Sequence, residues 1–327
     1  MAARRDASID LLRLLSTVAV VGIHTLIRTA RMSFPLHCLY SLCFFAVPVF
    51  FLCSGYFVLN KPEISWRYVG HRLLRILCVT VFWEIIFLLS QIARAGDLGF
   101  VRTWIPLNDN LWFLVTLALL YALSPLLLRL VRAGRNARGG LILTLALGAL
   151  CVGLQAVSLL SANSLQIRVP RIWRLWTYLF YFVLGSQLPR LEARLRGRYP
   201  LPLAGFVLVV TMCLAVVDMY FVRFRLNQMP VESAYDNFTM ILYCLALFLF
   251  VRRLPLGPRL SYAIVRVSAL AMGCYIIHPL PQLLVREFIP IYTSVQAVGF
   301  WMFYTGFSFA VSYLLNRFAP TRRLVNL

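Results

Sequence analysis

About ten stretches of this sequence run for roughly 20 residues with almost no charge, the length that carries an α-helix across the hydrocarbon core of a bilayer. They fall at 9–28, 36–59, 73–93, 111–131, 141–161, 173–188, 201–221, 236–251, 268–288 and 295–317. A soluble fold could not hide so much apolar surface, since hydrophobic residues make up 61% of the chain and charged ones only 13%. The expected fold is an all-α polytopic membrane protein with about ten transmembrane helices. The longest connectors, 94–110 and 222–235, are too short for a soluble domain, so residues 1–327 read as a single transmembrane domain.

The first stretch follows basic residues, as a cleaved signal peptide would. Arg13 interrupts its apolar run, and Gly22-Ile23-His24 is a poor cleavage site, so it is expected to remain as the first helix. A formal charge of +21 would suggest nucleic acid in a soluble protein. Here most of the basic residues recur in alternate connectors, on the side of the N-terminus, and form no single face. That is the positive-inside pattern of an even number of spans with both termini cytoplasmic, and it argues against a nucleic-acid partner. The 8 cysteines are scattered singly through apolar stretches, which suits small buried hydrophobes better than metal or redox pairs.

Proline and glycine punctuate the inward connectors, but Pro48, Gly55, Pro125, Pro279 and Pro281 lie at membrane depth. A broken helix survives there only where protein or a water-lined cavity satisfies the freed backbone groups, so a polar cavity among the helices is expected.

Ionisable groups inside spans are costly and become functional candidates by default. Arg13 and His24 are eleven steps apart on one helix, about three turns plus 20°, so they share a face with a rise of about 16 Å between them. That spacing draws a polar stripe from the cytoplasmic boundary into the membrane; the alternative is a snorkelling arginine and a core-bonded histidine. Glu84 is expected at a depth comparable to His24, where a carboxylate would orient the imidazole as the third member of an acyl-transfer constellation does. A protonated glutamate used for packing is the alternative. His278, followed by Pro279, meets the substrate or serves as a structural hydrogen bonder. Arg72 and Arg75 stand three apart on one helix face, where two guanidinium groups could clamp phosphates or merely mark topology. Trp112 and Tyr56 are natural walls for a sugar or a pantetheine arm, though aromatic packing or an interfacial belt explains them as well. No metal cluster, nucleophile elbow, Walker loop or dinucleotide fingerprint is present in the sequence.

Taken in order, these residues resemble a known family. Arg13, ten intervening residues and His24 look like the first-helix signature of the membrane acyltransferase 3 family. Val47-Pro48-Val49-Phe50-Phe51 with Ser54-Gly55-Tyr56 is similar to its second-helix segment. Arg72 with Arg75, Leu111-Trp112-Phe113-Leu114, and Tyr275 with His278 match three further motifs. Within the family the chain is most similar to the stand-alone bacterial type, and Leu120-Tyr121 with Ser124-Pro125-Leu126 resembles the branch that O-acetylates enterobacterial common antigen. The resemblance implies a bacterial cytoplasmic-membrane enzyme that moves an acetyl or other acyl group from acyl-CoA to a carbohydrate hydroxyl, on a glycan or lipid-linked glycan. It implies His24 as the catalytic residue, Arg13 in support, and Arg72 and Arg75 on the donor. A transporter or flippase for a polar solute is the competing class, because broken helices and buried ionisable groups also serve transport.

Overall fold

The computed structural model describes residues 5–29, 32–95, 111–134, 138–226, 234–285 and 288–326. Most of the longest expected connector, 96–110, and half of the next longest, 227–233, lie outside them. The described residues are mostly helical, without a strand. In chain order they form α1 (Ala7–Leu26), α2 (Phe34–Leu42), a 3-10 turn (Cys43–Phe45), α3 (Ala46–Val58), α4 (Trp66–Ala95), α5 (Trp112–Arg132), α6 (Arg138–Leu160) and the short α7 (Leu165–Arg168). A 3-10 turn (Arg171–Trp173) leads into α8 (Leu175–Arg194), then α9 (Leu201–Leu226), α10 (Phe238–Arg253), α11 (Pro258–Ser268), α12 (Ala271–Ile277), α13 (Pro279–Val285), α14 (Ser294–Arg317) and α15 (Ala319–Val325).

Each expected span coincides with one of these helices or with a broken pair. Among the described residues, 8 helical stretches are long and apolar enough to cross a membrane. The two expected spans outside that set are α8 and α10. Residues Phe180–Ser186 of α8 are buried almost without exception, so this helix has protein rather than lipid for a neighbour and tolerates polar residues such as Thr177 and Ser186. The 16 residues of α10 are short for a crossing, at about 24 Å against a core of about 30 Å.

Burial separates the centre from the rim. The apolar window of α1 is 67% buried and that of α2–α3 is 72% buried, against 17% for α14 and 22% for α6 and α9. The outer helices therefore turn most of their apolar surface outward, where lipid tails replace protein. Cys78 and Cys213 lie on such outward faces and are exposed, so the expectation of uniformly buried cysteines fails for these two. At the centre, α3 and α8 approach backbone to backbone. A Cβ on Gly55 would collide with the carbonyl of Phe182, and one on Gly185 with the carbonyl of Leu52. Small residues let helices meet this closely in a membrane, where no apolar driving force favours helix contact over lipid.

The prolines at depth each free a carbonyl four residues back, because proline has no amide hydrogen. Beside Pro125, Ser124 fills the gap by donating its hydroxyl to the Tyr121 carbonyl at 2.7 Å. Upstream of Pro48 the chain tightens into the Cys43–Phe45 turn, and Tyr243 donates to the Leu42 carbonyl at 3.2 Å. The expected span 268–288 is divided instead: α11 begins ten residues earlier, and α12 and α13 are separated at His278. Pro279 and Pro281 account for the second break, since neither can continue the helical ladder.

A buried polar knot holds the segment between α6 and α8. The Asp236 carboxylate, fully buried, accepts from Thr177 Oγ1 at 2.5 Å, Trp176 Nε1 at 3.1 Å and Gln166 Nε2 at 3.1 Å. Three donors compensate the desolvation of that group, and they fix the position of the Arg171–Trp173 turn.

Candidate active site

The helix α1 sets the axis of the site. Asp6 caps it, accepting from the amides of Ser8 and Ile9 at 3.0 and 3.4 Å, and Arg252 ties that cap to α10 through a 2.5 Å ion pair. Above the cap, Asp10 lies 3.3 Å from Arg5 and 3.7 Å from Arg13. The Arg13 guanidinium also stacks over the Phe57 ring at 5.0 Å.

Arg5, Asp6, Asp10, Arg13 and Phe57 line a cavity of about 430 Å³. Among the described residues its charged part gathers Arg5, Arg13, Lys61, Arg72 and Arg75 against only Asp6 and Asp10, a clear excess of positive charge. Arg72 and Arg75 reach it from the first turns of α4, which starts at Trp66, earlier than the apolar pattern suggests. Tyr68, one turn before Arg72, holds the Lys61 ammonium 3.6 Å from its ring centroid. At the other end the cavity is aromatic: Phe50 and Phe113 lie 6.3 and 5.3 Å from the Tyr275 ring.

Behind Tyr275 stand the histidines. The ring of His278 is 5.8 Å from that of Tyr275, and the ring of His24 is 5.2 Å from that of His278, tilted by 38°. His278 is buried, whereas His24 is half-buried and retains an accessible surface. Neither histidine lines the cavity; Tyr275, which does, connects it to them. The Nδ1 of His278 hydrogen-bonds the Tyr275 carbonyl at 2.5 Å. A carbonyl only accepts, so the proton is on Nδ1 and the lone pair of His278 is on Nε2. Tyr275 is four residues before Pro279, so its carbonyl is the one left without a helical amide. The histidine-proline pair thus frees a carbonyl and fills it with the same turn of chain.

The sequence-predicted residues divide accordingly. Arg13, Arg72 and Arg75 converge on the cavity, and His24 and His278 meet at its aromatic end. Glu84 does not join them. Its two carboxylate oxygens are buried and, among the described residues, have no hydrogen-bond partner, His24 included. Arg28, by contrast, is bonded to His24 directly, its Nε donating to the His24 carbonyl at 3.0 Å. The expected pairing of Glu84 with His24 is therefore replaced by a pairing of His24 with His278. Tyr56 and Trp112 also miss the cavity. On α3, Phe50, Ser54 and Phe57 recur at helical spacing on the cavity side, which turns Tyr56 away towards Phe248 and Arg252. Trp112 packs on Tyr178 at 5.4 Å, and its neighbour Phe113 is the one that faces the cavity.

Sequence reasoning passed over Arg5, Asp10, Lys61 and Asn326, all of which line the cavity. Asp10 carried a usable signal, being an acid one turn from Arg13 on the same helix. The others gave none, because they come from chain ends and a connector where polar residues are ordinary.

No curated protein and no solved structure shows a significant match to the chain. The sequence model of the acyltransferase 3 family, described as an acyltransferase domain, matches residues 6–317. With nearly the whole chain covered and a helical, multi-pass architecture around the site, this membrane protein belongs to the acyltransferase 3 family.

Proposed function

We propose that the protein moves an acetyl or other short acyl group from acyl-CoA to a hydroxyl of a glycan or lipid-linked glycan, working in the bacterial cytoplasmic membrane with both of its termini in the cytoplasm. The observation that carries this reading is a single cavity with a basic end and an aromatic end, the latter in ring contact with a histidine pair. Phosphates of a nucleotide-like donor suit the Arg72 and Arg75 guanidinium groups, with Arg5, Arg13 and Lys61 adding to the field. The acyl arm then runs along Phe113 and Tyr275 towards His24.

At His24 the acceptor hydroxyl loses its proton to the imidazole as its oxygen attacks the thioester carbonyl. The carbon–sulfur bond breaks, and the imidazolium returns the proton to the departing thiolate, so the histidine ends neutral and the products are an ester and a free thiol. General-base help of this kind contributes about 10²- to 10⁴-fold. His278 is a positioning residue here: its Nδ1 anchor on Tyr275 sets the plane of the ring against which His24 rests. A route through transient acylation of His24 uses the same residues.

The test is direct. Purified protein in detergent is given radiolabelled acetyl-CoA with a mixture of lipid-linked oligosaccharides. Label appearing in the glycan fraction, with stoichiometric release of free CoA, supports the proposal; an unmodified solute carried across proteoliposomes without CoA release overturns it in favour of transport.

A further inference from the structure

One wall of the donor cavity comes from a part of the chain that none of the family motifs covers. After α14 the chain reverses into α15, and this segment is pinned at three points. Thr321 Oγ1 donates to the Leu315 carbonyl at 2.6 Å, and Trp83 on α4 donates its indole N–H to the Leu324 carbonyl at 2.7 Å. Val325 is completely buried against α12, where a Cβ on Gly273 would come within 3.1 Å of the valine Cβ. Asn326 then reaches the cavity and lines it beside the basic groups.

The amide of Asn326 has a defined orientation. Its Nδ2 donates to Asn316 Oδ1 at 2.5 Å and to the Arg322 carbonyl at 3.1 Å. The carbonyl partner can only accept, which fixes the nitrogen, and with both of its hydrogens used the group that remains is the Oδ1 acceptor. Among five cationic side chains this is a neutral acceptor, suited to an N–H rather than to a phosphate. The strap also touches the reacting end of the site indirectly, because Gly273 lies two residues before Tyr275 on α12.

We propose that residues 319–326 form a strap that completes the donor cavity, in which Asn326 Oδ1 accepts a hydrogen bond from an amide or amino N–H of the acyl donor and Trp83 is the positioning residue that holds the strap in place. The proposal rests on the reading of this cavity as the acyl-CoA site. Deleting the strap would also remove Arg322 and Arg323, so two variants that leave the charge unchanged test it more cleanly: Asn326→Ala, at a half-buried position, and Trp83→Phe, which keeps a ring but loses the donor.

Calorimetric titration of detergent-purified protein with CoA is the primary readout, accompanied by kinetics with acetyl-CoA. Each variant is expected to bind CoA roughly three- to ten-fold more weakly, the range one net hydrogen bond supports, and to raise KM for acetyl-CoA with kcat unchanged at saturation. A merely structural lesion would lower kcat as well. Trypsin adds a second readout, because Arg322 and Arg323 are exposed on the strap. Release of the peptide beyond Arg323, followed by mass spectrometry, is expected to slow when CoA is bound. Equal CoA affinity in wild type and both variants, with tryptic release indifferent to CoA, overturns the strap while leaving the donor site standing. Wild-type protein that binds no CoA overturns the donor site itself.

Discussion

His278 gives its Nδ1 proton to the carbonyl oxygen of Tyr275, three residues back in its own chain, at 2.5 Å. That carbonyl is available because Pro279 has no amide hydrogen with which to claim it. A backbone defect and a side-chain orientation are therefore one feature, placed between the cavity that Tyr275 lines and the ring of His24.

Restoring the missing amide should disturb the site without emptying it. In Pro279→Ala the new N–H competes for the Tyr275 carbonyl, and His278 loses its anchor. The expected result is a kcat lower by about 10- to 100-fold, the scale of a small misplacement of reacting groups, with CoA affinity within about twofold of wild type. Steady-state kinetics alongside CoA titration check both halves.

The two cavity arginines of α4 should behave as a donor clamp. Arg72→Gln and Arg75→Gln each remove a charge-assisted contact, with an expected loss of CoA affinity of about tenfold or more. Both variants should also show a shallower dependence of affinity on salt, since screening acts on the charges that remain. Arg129→Gln, exposed on α5 and outside the cavity, should leave CoA binding unchanged. Titrations at two ionic strengths separate the cases.

Packing predicts a contrast between two glycines. Gly55→Ala drives a methyl group into the Phe182 backbone, and is expected to cost about 1–3 kcal/mol and to lower the thermal midpoint in detergent. Gly153→Ala on α6, where nothing lies within 4 Å of the added carbon, should be neutral or stabilising by about 0.5–1 kcal/mol. A thermal-shift assay reporting on both proteins checks the sign of each change.

The sequence alone reveals the helices, because apolar length is a property of each segment by itself. It also reveals the shared face of Arg13 and His24, since both lie on one helix whose periodicity relates them. What it could not reveal is which face of one helix meets which face of another. Glu84 has a suitable depth and chemistry, yet its carboxylate has no hydrogen-bond partner among the described residues, and His24 meets His278, more than 250 residues later in the sequence. Tyr56 and Trp112 fail for a related reason: each sits one residue from a cavity-lining neighbour, Phe57 or Phe113, and a single residue turns a side chain by about 100°. The strap was hidden because its contacts are with a carbonyl, a glycine and an amide, none of which leaves a mark in composition.

Tyr275 serves the site through its ring and its carbonyl. Tyr275→Phe, which keeps the aromatic contacts with Phe50 and Phe113, should retain the wild-type kcat and CoA affinity. Tyr275→Ala should instead open the aromatic end of the cavity to water and lower kcat by on the order of 10-fold or more, because water exclusion strengthens interactions inside a closed site. The ratio of CoA released to acyl ester formed, rising well above one in Tyr275→Ala, is the measurement that reports the opening.

The most direct test compares acyl transfer by wild-type protein and His24→Ala at saturating acetyl-CoA, with CoA affinity measured on the same preparations. Loss of transfer by about 10²-fold or more, with CoA affinity unchanged, is the predicted result, since the imidazole stands beyond the cavity proposed for the donor. Transfer at the wild-type rate by His24→Ala would contradict the account.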